Sequence, residues 1–209
     1  MSIFIKAGLW IEKKLGFKGE FNLTKYITDL IAATPPPTPT LPYKVYTALL
    51  SQSGGDSFLF LLNEPLVIGV TYKIYEDAGP SGWDFTNVGA PNNNVGTSFV
   101  ATGTTPNSWT NAELEYNAGA PVAKVLENTI GNIWFTYNGV GQYYVNSNQL
   151  FTYPKSTGFI GDVSGAGENQ SLASIQILGD SAFYISTVTS FIVVDDQLFD
   201  TPIEIRVYN

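Results

Sequence analysis

From Tyr43 to Tyr208 the chain is a succession of short apolar or alternating runs, each closed by Gly, Pro, Asn, Asp or Ser. Runs that short leave little room for helices. Turn signals about every 8–12 residues instead point to an all-β sandwich or barrel. Tyr43, Val45, Thr47 and Leu49 alternate with Lys44, Tyr46, Ala48 and Leu50, and Ser51-Gln52-Ser53-Gly54-Gly55-Asp56 ends the run. Phe58-Leu59-Phe60-Leu61-Leu62 is wholly apolar and is closed by Glu64-Pro65. Leu66–Tyr75 reads as a strand pair or one bent strand, and 97–102 as another strand. After Asn117-Ala118-Gly119-Ala120-Pro121, strands are predicted at 122–126, 131–137, 142–146, 157–161, 172–178, 182–187, 190–194 and 203–208. Asn138-Gly139 and Gly179-Asp180 are turn signals between them. Pro202 precedes the last strand, where a missing amide donor is tolerated.

The first 34 residues are built differently. Leu9, Trp10, Leu15 and Phe17 stand between charges, and Gly8, Gly16 and Gly19 interrupt any helix. Residues 22–31 predict a short amphipathic helix. Asn22 is placed as its N-cap, and Leu23, Tyr26, Ile27, Leu30 and Ile31 fall at helical spacing. About ten residues do not hold a helix alone in water, so this piece needs a surface: its own body, another protein or a membrane. Residues 35–42 carry Pro35-Pro36-Pro37, Pro39 and Pro42. They predict an extended tether of roughly 20–25 Å at the polyproline rise.

Charge divides at the same place. Lys6, Lys13, Lys14, Lys18 and Lys25 are half of the ten cations, and they face only Glu12, Glu20 and Asp29. From Pro42 onward five cations face fifteen carboxylates. An acidic body with pI near 4.4 repels phosphate, which argues against a nucleic-acid partner. No run of about 18 apolar residues predicts a membrane span, and the opening Met1–Lys6 lacks the pattern of a secretory signal.

The chain has no cysteine and no histidine. Disulfides, thiolate nucleophiles, Ser-His-Asp triads and most zinc sites are thereby excluded. Catalysis would fall to carboxylates, Tyr or Lys, so the expectation is a protein without enzymatic activity and without a cofactor or metal. Asp195-Asp196, with Asp200 and Glu204, is the densest acidic cluster, but no calcium-loop pattern accompanies it and a solvated turn is expected. The stretch 162–169 is Gly-rich and acidic without the Gly-Lys-Ser/Thr ending of a phosphate loop. A pair of carboxylates spaced for glycoside hydrolysis is inevitable among fifteen and means little alone. Among the aromatics, Trp83 and Trp109 lie beside loops and are the candidates for stacking on a glycan. Core packing is the alternative for both.

Two stretches resemble bacteriophage virion structural proteins. One joins Gly69-Val70-Thr71-Tyr72-Lys73-Ile74, Asp84-Phe85-Thr86-Asn87-Val88-Gly89-Ala90 and Phe99-Val100-Ala101-Thr102-Gly103-Thr104-Thr105-Pro106, with Trp109 after them. The other joins Tyr43–Gln52, Val125-Leu126-Glu127-Asn128-Thr129-Ile130-Gly131 and Thr201-Pro202-Ile203-Glu204-Ile205-Arg206-Val207-Tyr208. The resemblance implies a layout in which a small β-module, 56–119, is inserted in a β-sandwich made of 43–55 and 120–209. The resemblance does not cover residues 1–34, which charge and apolar residues mark as an attachment arm, or 35–42, which the prolines mark as a tether. It also implies a setting, the virion, assembled in the infected host's cytoplasm.

The function expected is a capsid-associated fibre or decoration protein. Leu9, Trp10, Leu15, Phe17, Tyr26, Ile27 and Leu30 would bury against other virion proteins of the capsid or tail surface, with Lys13, Lys14 and Lys18 meeting an acidic rim. A homo-oligomer is expected, a trimer by analogy with how fibres are built. The alternatives are a tail-fibre or receptor-binding component that recognises host glycans, and a carboxylate-based polysaccharide-degrading enzyme.

Overall fold

The computed structural model describes residues 41–77, 82–163 and 171–209. The chain divides into two units, Met1–Leu41 and Pro42–Asn209, and apart from Leu41 the described residues all belong to the second. The expected arm, its helix over 22–31, most of the tether and the glycine-rich stretch 164–169 lie outside the described residues.

The second unit is all-β, and every ladder in it is antiparallel. Its strands are β1 (Tyr43–Ser51), β2 (Phe58–Leu61), β3 (Thr71–Asp77), β4 (Ser98–Val100), β5 (Ala112–Asn117), β6 (Val122–Asn128) and β7 (Ile133–Gly139). They are followed by β8 (Gln142–Ser147), β9 (Ser156–Ile160), β10 (Ser171–Ile177), β11 (Ala182–Thr189), β12 (Ile192–Val193) and β13 (Thr201–Tyr208). One 3-10 turn, Thr86–Val88, interrupts the strands.

Three sheets result. The first has the order β6-β1-β13-β9; the second runs β10-β11-β8-β7 with β12 on β11; the third runs β2-β5-β3-β4. The first two make the sandwich. In β13, Thr201, Ile203, Ile205 and Val207 are buried and alternate with Pro202, Glu204, Arg206 and Tyr208, the period-two pattern of a sheet with one dry face. β8 and β11 repeat it with Tyr143 and Val145, and with Phe183 and Ile185. These inward sets meet in one core with Tyr46, Leu50, Phe135 and Phe151. Phe151 and Phe183 pack edge to face at 4.9 Å, the geometry the ring quadrupoles favour.

The third sheet closes over a second core of Tyr72, Ile74, Trp83, Phe85, Val88, Phe99 and Leu114. β1 and β6 pair directly, with Leu50 opposite Ala123, so β2 to β5 leave and rejoin the sandwich between two neighbouring strands. Entry and exit touch: a Cβ on Gly119 would lie 2.6 Å from the carbonyl oxygen of Gly55. A second seam forms at Gly69. Its N–H donates to Ala101 O at 2.8 Å, and its carbonyl accepts from Ala123 N at 2.9 Å. Gly69 has φ +90°, and a Cβ there would meet Ala123 O at 2.7 Å, so no other residue fits without movement. The Thr71 hydroxyl completes the seam by accepting from Phe135 N at 3.0 Å.

Two local differences from the sequence reading have clear causes. Asn138-Gly139 is not the hairpin turn. The register shifts between Tyr137 and Gly139, Gly139 pairs with Gln142, and the reversal falls on Val140-Gly141. Gly141 takes φ +60° there and donates its N–H to Asp195 at 2.7 Å, which fixes the turn later than Asn-Gly alone would place it. The run Leu66–Tyr75 becomes a strand only from Thr71, because the Gly69 seam occupies its first half.

Candidate interaction surfaces

The residues expected to attach the chain, namely Leu9, Trp10, Lys13, Lys14, Leu15, Phe17, Lys18, Tyr26, Ile27 and Leu30, lie outside the described residues. The two tryptophans expected to meet a glycan are described. Trp83 is 8% exposed and its indole N–H donates to Asn93 O at 3.0 Å. Trp109 is half-buried against the second core. It packs edge to face on Phe85 at 5.3 Å and donates to Ala112 O at 2.8 Å. Both indoles spend their N–H inside the lobe.

Beside them, Asp84 organises a polar knot. Its carboxylate accepts from Thr86 N (2.9 Å), Thr86 Oγ1 (2.6 Å), Asn93 Nδ2 (3.2 Å) and Asn107 Nδ2 (2.9 Å). Hydrogen bonds from Thr86 first, then Asn107 and Asn93, hold the carboxyl well below the usual carboxylate range. Asn87 ties the neighbouring loop by donating to Thr105 O and accepting from Asn107 N. Gly89, at φ +112°, lets the chain pass Val100, whose carbonyl oxygen would lie 2.5 Å from a Cβ. The motif that runs from Asp84 to Ala90 and on to Pro106 is thus a loop-locking device.

A second polar cluster joins the two sandwich sheets. Asp195 accepts from Tyr137 Oη (2.9 Å), Tyr143 Oη (3.0 Å) and Gly141 N (2.7 Å). Tyr143 Oη also lies 2.8 Å from Gln52 Oε1, which in turn accepts from Asp196 N at 2.7 Å. Gln52 Nε2 donates to Gly54 O, and Gly54 N donates to Asp196 Oδ1. Desolvation, reinforced by the bond to Asp195, pushes the Tyr137 phenol up to about 12. Tyr143 is raised further, by burial first and by the Asp195 charge second. Asp195 is therefore tied into the body, while Asp196 beside it stays exposed as expected of a turn. Among the described residues no three His, Cys, Asp or Glu side chains converge.

Three surfaces stand out among the described residues. On the outer face of the first sheet, Arg206 pairs with Glu204 and lies over the rings of Tyr43 (4.8 Å) and Phe159 (5.3 Å). Beside it is a hollow of about 330 Å3 bordered by Thr47, Leu126, Phe159, Pro202 and Glu204. At the seam between the third sheet and the sandwich is a hollow of about 300 Å3 lined by Asn92, Thr97, Ser98, Asn132, Trp134 and Asn148. Trp134 was legible only as a strand residue. Its place beside three amides comes from the meeting of the two lobes, which no local pattern encodes. The third surface is β2 with the residue that follows it: Phe58 is 60%, Leu59 44%, Phe60 54% and Leu62 56% exposed.

Neither a family model nor a curated protein nor a solved structure matches the chain. Among the described residues no helix is long and apolar enough to cross a membrane.

Proposed function

We propose that this is a non-enzymatic structural protein of a bacteriophage virion, a capsid-associated fibre or decoration protein. Its first 34 residues attach it to other virion proteins, and its β body is displayed. The observation that carries this reading is the division of the chain at Leu41–Pro42, directly after the proline run. On one side of that division lysines outnumber carboxylates. On the other, carboxylates outnumber cations threefold. An acidic body limits non-specific aggregation through charge, while apolar arm residues supply contact area. A homo-oligomer would multiply weak arm contacts through effective concentration.

The test is deletion of residues 1–34 followed by binding to purified particles. The body should keep its β-sheet circular dichroism while particle binding is lost. Unchanged binding would remove the arm from the proposal.

Recognition of host glycans is the second reading, and the hollow at the seam favours it. An indole, three carboxamides and the hydroxyls of Thr97 and Ser98 offer a flat apolar surface and neutral donors and acceptors, the groups a sugar requires. Trp134→Ala should abolish adsorption to host cells under this reading and leave particle attachment intact.

A further inference from the structure

We infer that β2 is the pairing edge for a second copy of this chain, joined strand to strand in antiparallel register about a two-fold axis at Leu59. The inference goes beyond the attachment role and does not depend on it.

β2 ends the third sheet and pairs only with β5 among the described residues. Both of its faces are apolar, and it carries no Lys, Pro or bulge of the kind that blunts an edge. The direction of its backbone groups follows from one bond. Ala118 N donates to Ser57 O at 2.8 Å, so the alternation of an antiparallel ladder turns the groups of Ser57, Leu59 and Leu61 toward β5. The N–H and C=O of Phe58 and Phe60 then point out of the sheet edge. Phe60 also meets Tyr75 at 5.0 Å on the outer face, whereas Leu61 packs against the second core.

The sequence Phe58-Leu59-Phe60 reads the same in both directions. A two-fold axis normal to the sheet sets residues of the same face opposite one another. Centred on Leu59, it pairs Phe58 with Phe60 of the second copy twice, through the outward backbone groups of both residues. Leu59 faces its own equivalent as a non-hydrogen-bonded pair, where side chains come closest. The ladder with β5 runs from Ser57 to Leu61, and Leu59 is its midpoint.

The neighbouring register, centred on Phe60, is disfavoured twice. It needs Asn63, which leaves the extended region at φ +55°, and it brings Asp56 opposite Glu64. The register centred on Phe58 sets Leu61 and Leu62 opposite Gly55 and Gly54 and keeps one aromatic pair, Phe58 with its own equivalent, in place of two. Charge and apolar pairing thus select one alignment. The partner is a second copy because this short palindrome complements itself.

The chain has no native cysteine, so single cysteines report the alignment directly. Full-length Leu59→Cys should oxidise to a disulfide-linked species of twice 22.7 kDa on a non-reducing gel, and Phe60→Cys should do so at least tenfold more slowly. Adding Phe58→Lys and Phe60→Lys to Leu59→Cys should remove the cross-link while circular dichroism keeps its β signal. Light scattering of the unmodified chain should show a concentration-dependent mass that the double lysine variant lowers twofold. Faster cross-linking at Phe60→Cys overturns the register. Absence of cross-linking at both positions, with a mass unaffected by the lysines, overturns the pairing itself.

Discussion

Tyr143 and Asp195 stand 52 positions apart and share a 3.0 Å hydrogen bond, the phenol donating to the carboxylate. The bond ties the inward face of β8 to the segment that leads into β13, so it spans the sandwich. Its surroundings are largely dry, with Tyr143 fully buried. Removing the hydroxyl takes one donor from Asp195 Oδ1, while Gln52 Oε1 keeps the N–H of Asp196. Tyr143→Phe should lower unfolding free energy by about 1–2 kcal/mol. Urea denaturation followed by tryptophan fluorescence measures it, and an unchanged midpoint would remove the cluster from the stability of the sandwich.

The same cluster gives a pH dependence at the alkaline end. Tyr137 is raised to about 12 in the folded chain and sits near 10 when unfolded. A raised phenol favours the folded state fully below about pH 10, and that contribution is lost as pH rises through about 12. Stability should therefore fall across this window, and Tyr137→Phe should flatten the fall. Denaturation midpoints at pH 9, 10, 11 and 12 test the slope.

Tyr46 illustrates the opposite case. It is 1% exposed in the sandwich core, and its hydroxyl has no hydrogen-bond partner among the described residues. Burial alone drives its phenol upward. Tyr46→Phe removes an unsatisfied polar atom at nearly constant volume and should raise stability by about 1 kcal/mol. A loss of stability would show that the hydroxyl has a partner.

Asp84 should make the third-sheet lobe sensitive to acid. Its folded carboxyl titrates well below the unfolded value of 3.8, so its contribution is present above that pH and is lost as pH falls below it. Asp84→Ala should weaken the lobe at neutral pH and remove this acid dependence. Tryptophan emission reads the effect, since Trp83 and Trp109 both lie in the lobe's core. An identical acid transition in the variant would assign the sensitivity elsewhere.

The all-β class was legible because period-two burial follows from the residues themselves: Ile203, Ile205 and Val207 alternate with polar neighbours in β13 as they do in the sequence. β2 was legible as an apolar run but not as an edge. Phe58-Leu59-Phe60-Leu61 has the same letters whether a strand is buried on both sides or open on one, and only its order in the sheet decides. Asp195, unlike its exposed neighbours Asp196 and Asp200, was misread for a related reason. Two adjacent carboxylates in a turn look solvated until Tyr137, Tyr143 and Gly141 arrive from β7, β8 and the turn between them. Trp134 and its three amides are brought together by the meeting of two lobes, a distance no local pattern spans.

The touching carbonyl of Gly55 and backbone of Gly119 give the body a doorway of single-chain width. Everything from β2 to β5 passes out and back through it, so this stretch behaves as a cartridge held at one hinge and one catch, the catch being Gly69 on β6. A related chain could exchange such a cartridge for another of different surface without redrawing the sheets that receive it. Variation in what the body meets can therefore arise by replacement of one contiguous segment, while the frame that carries it stays the same.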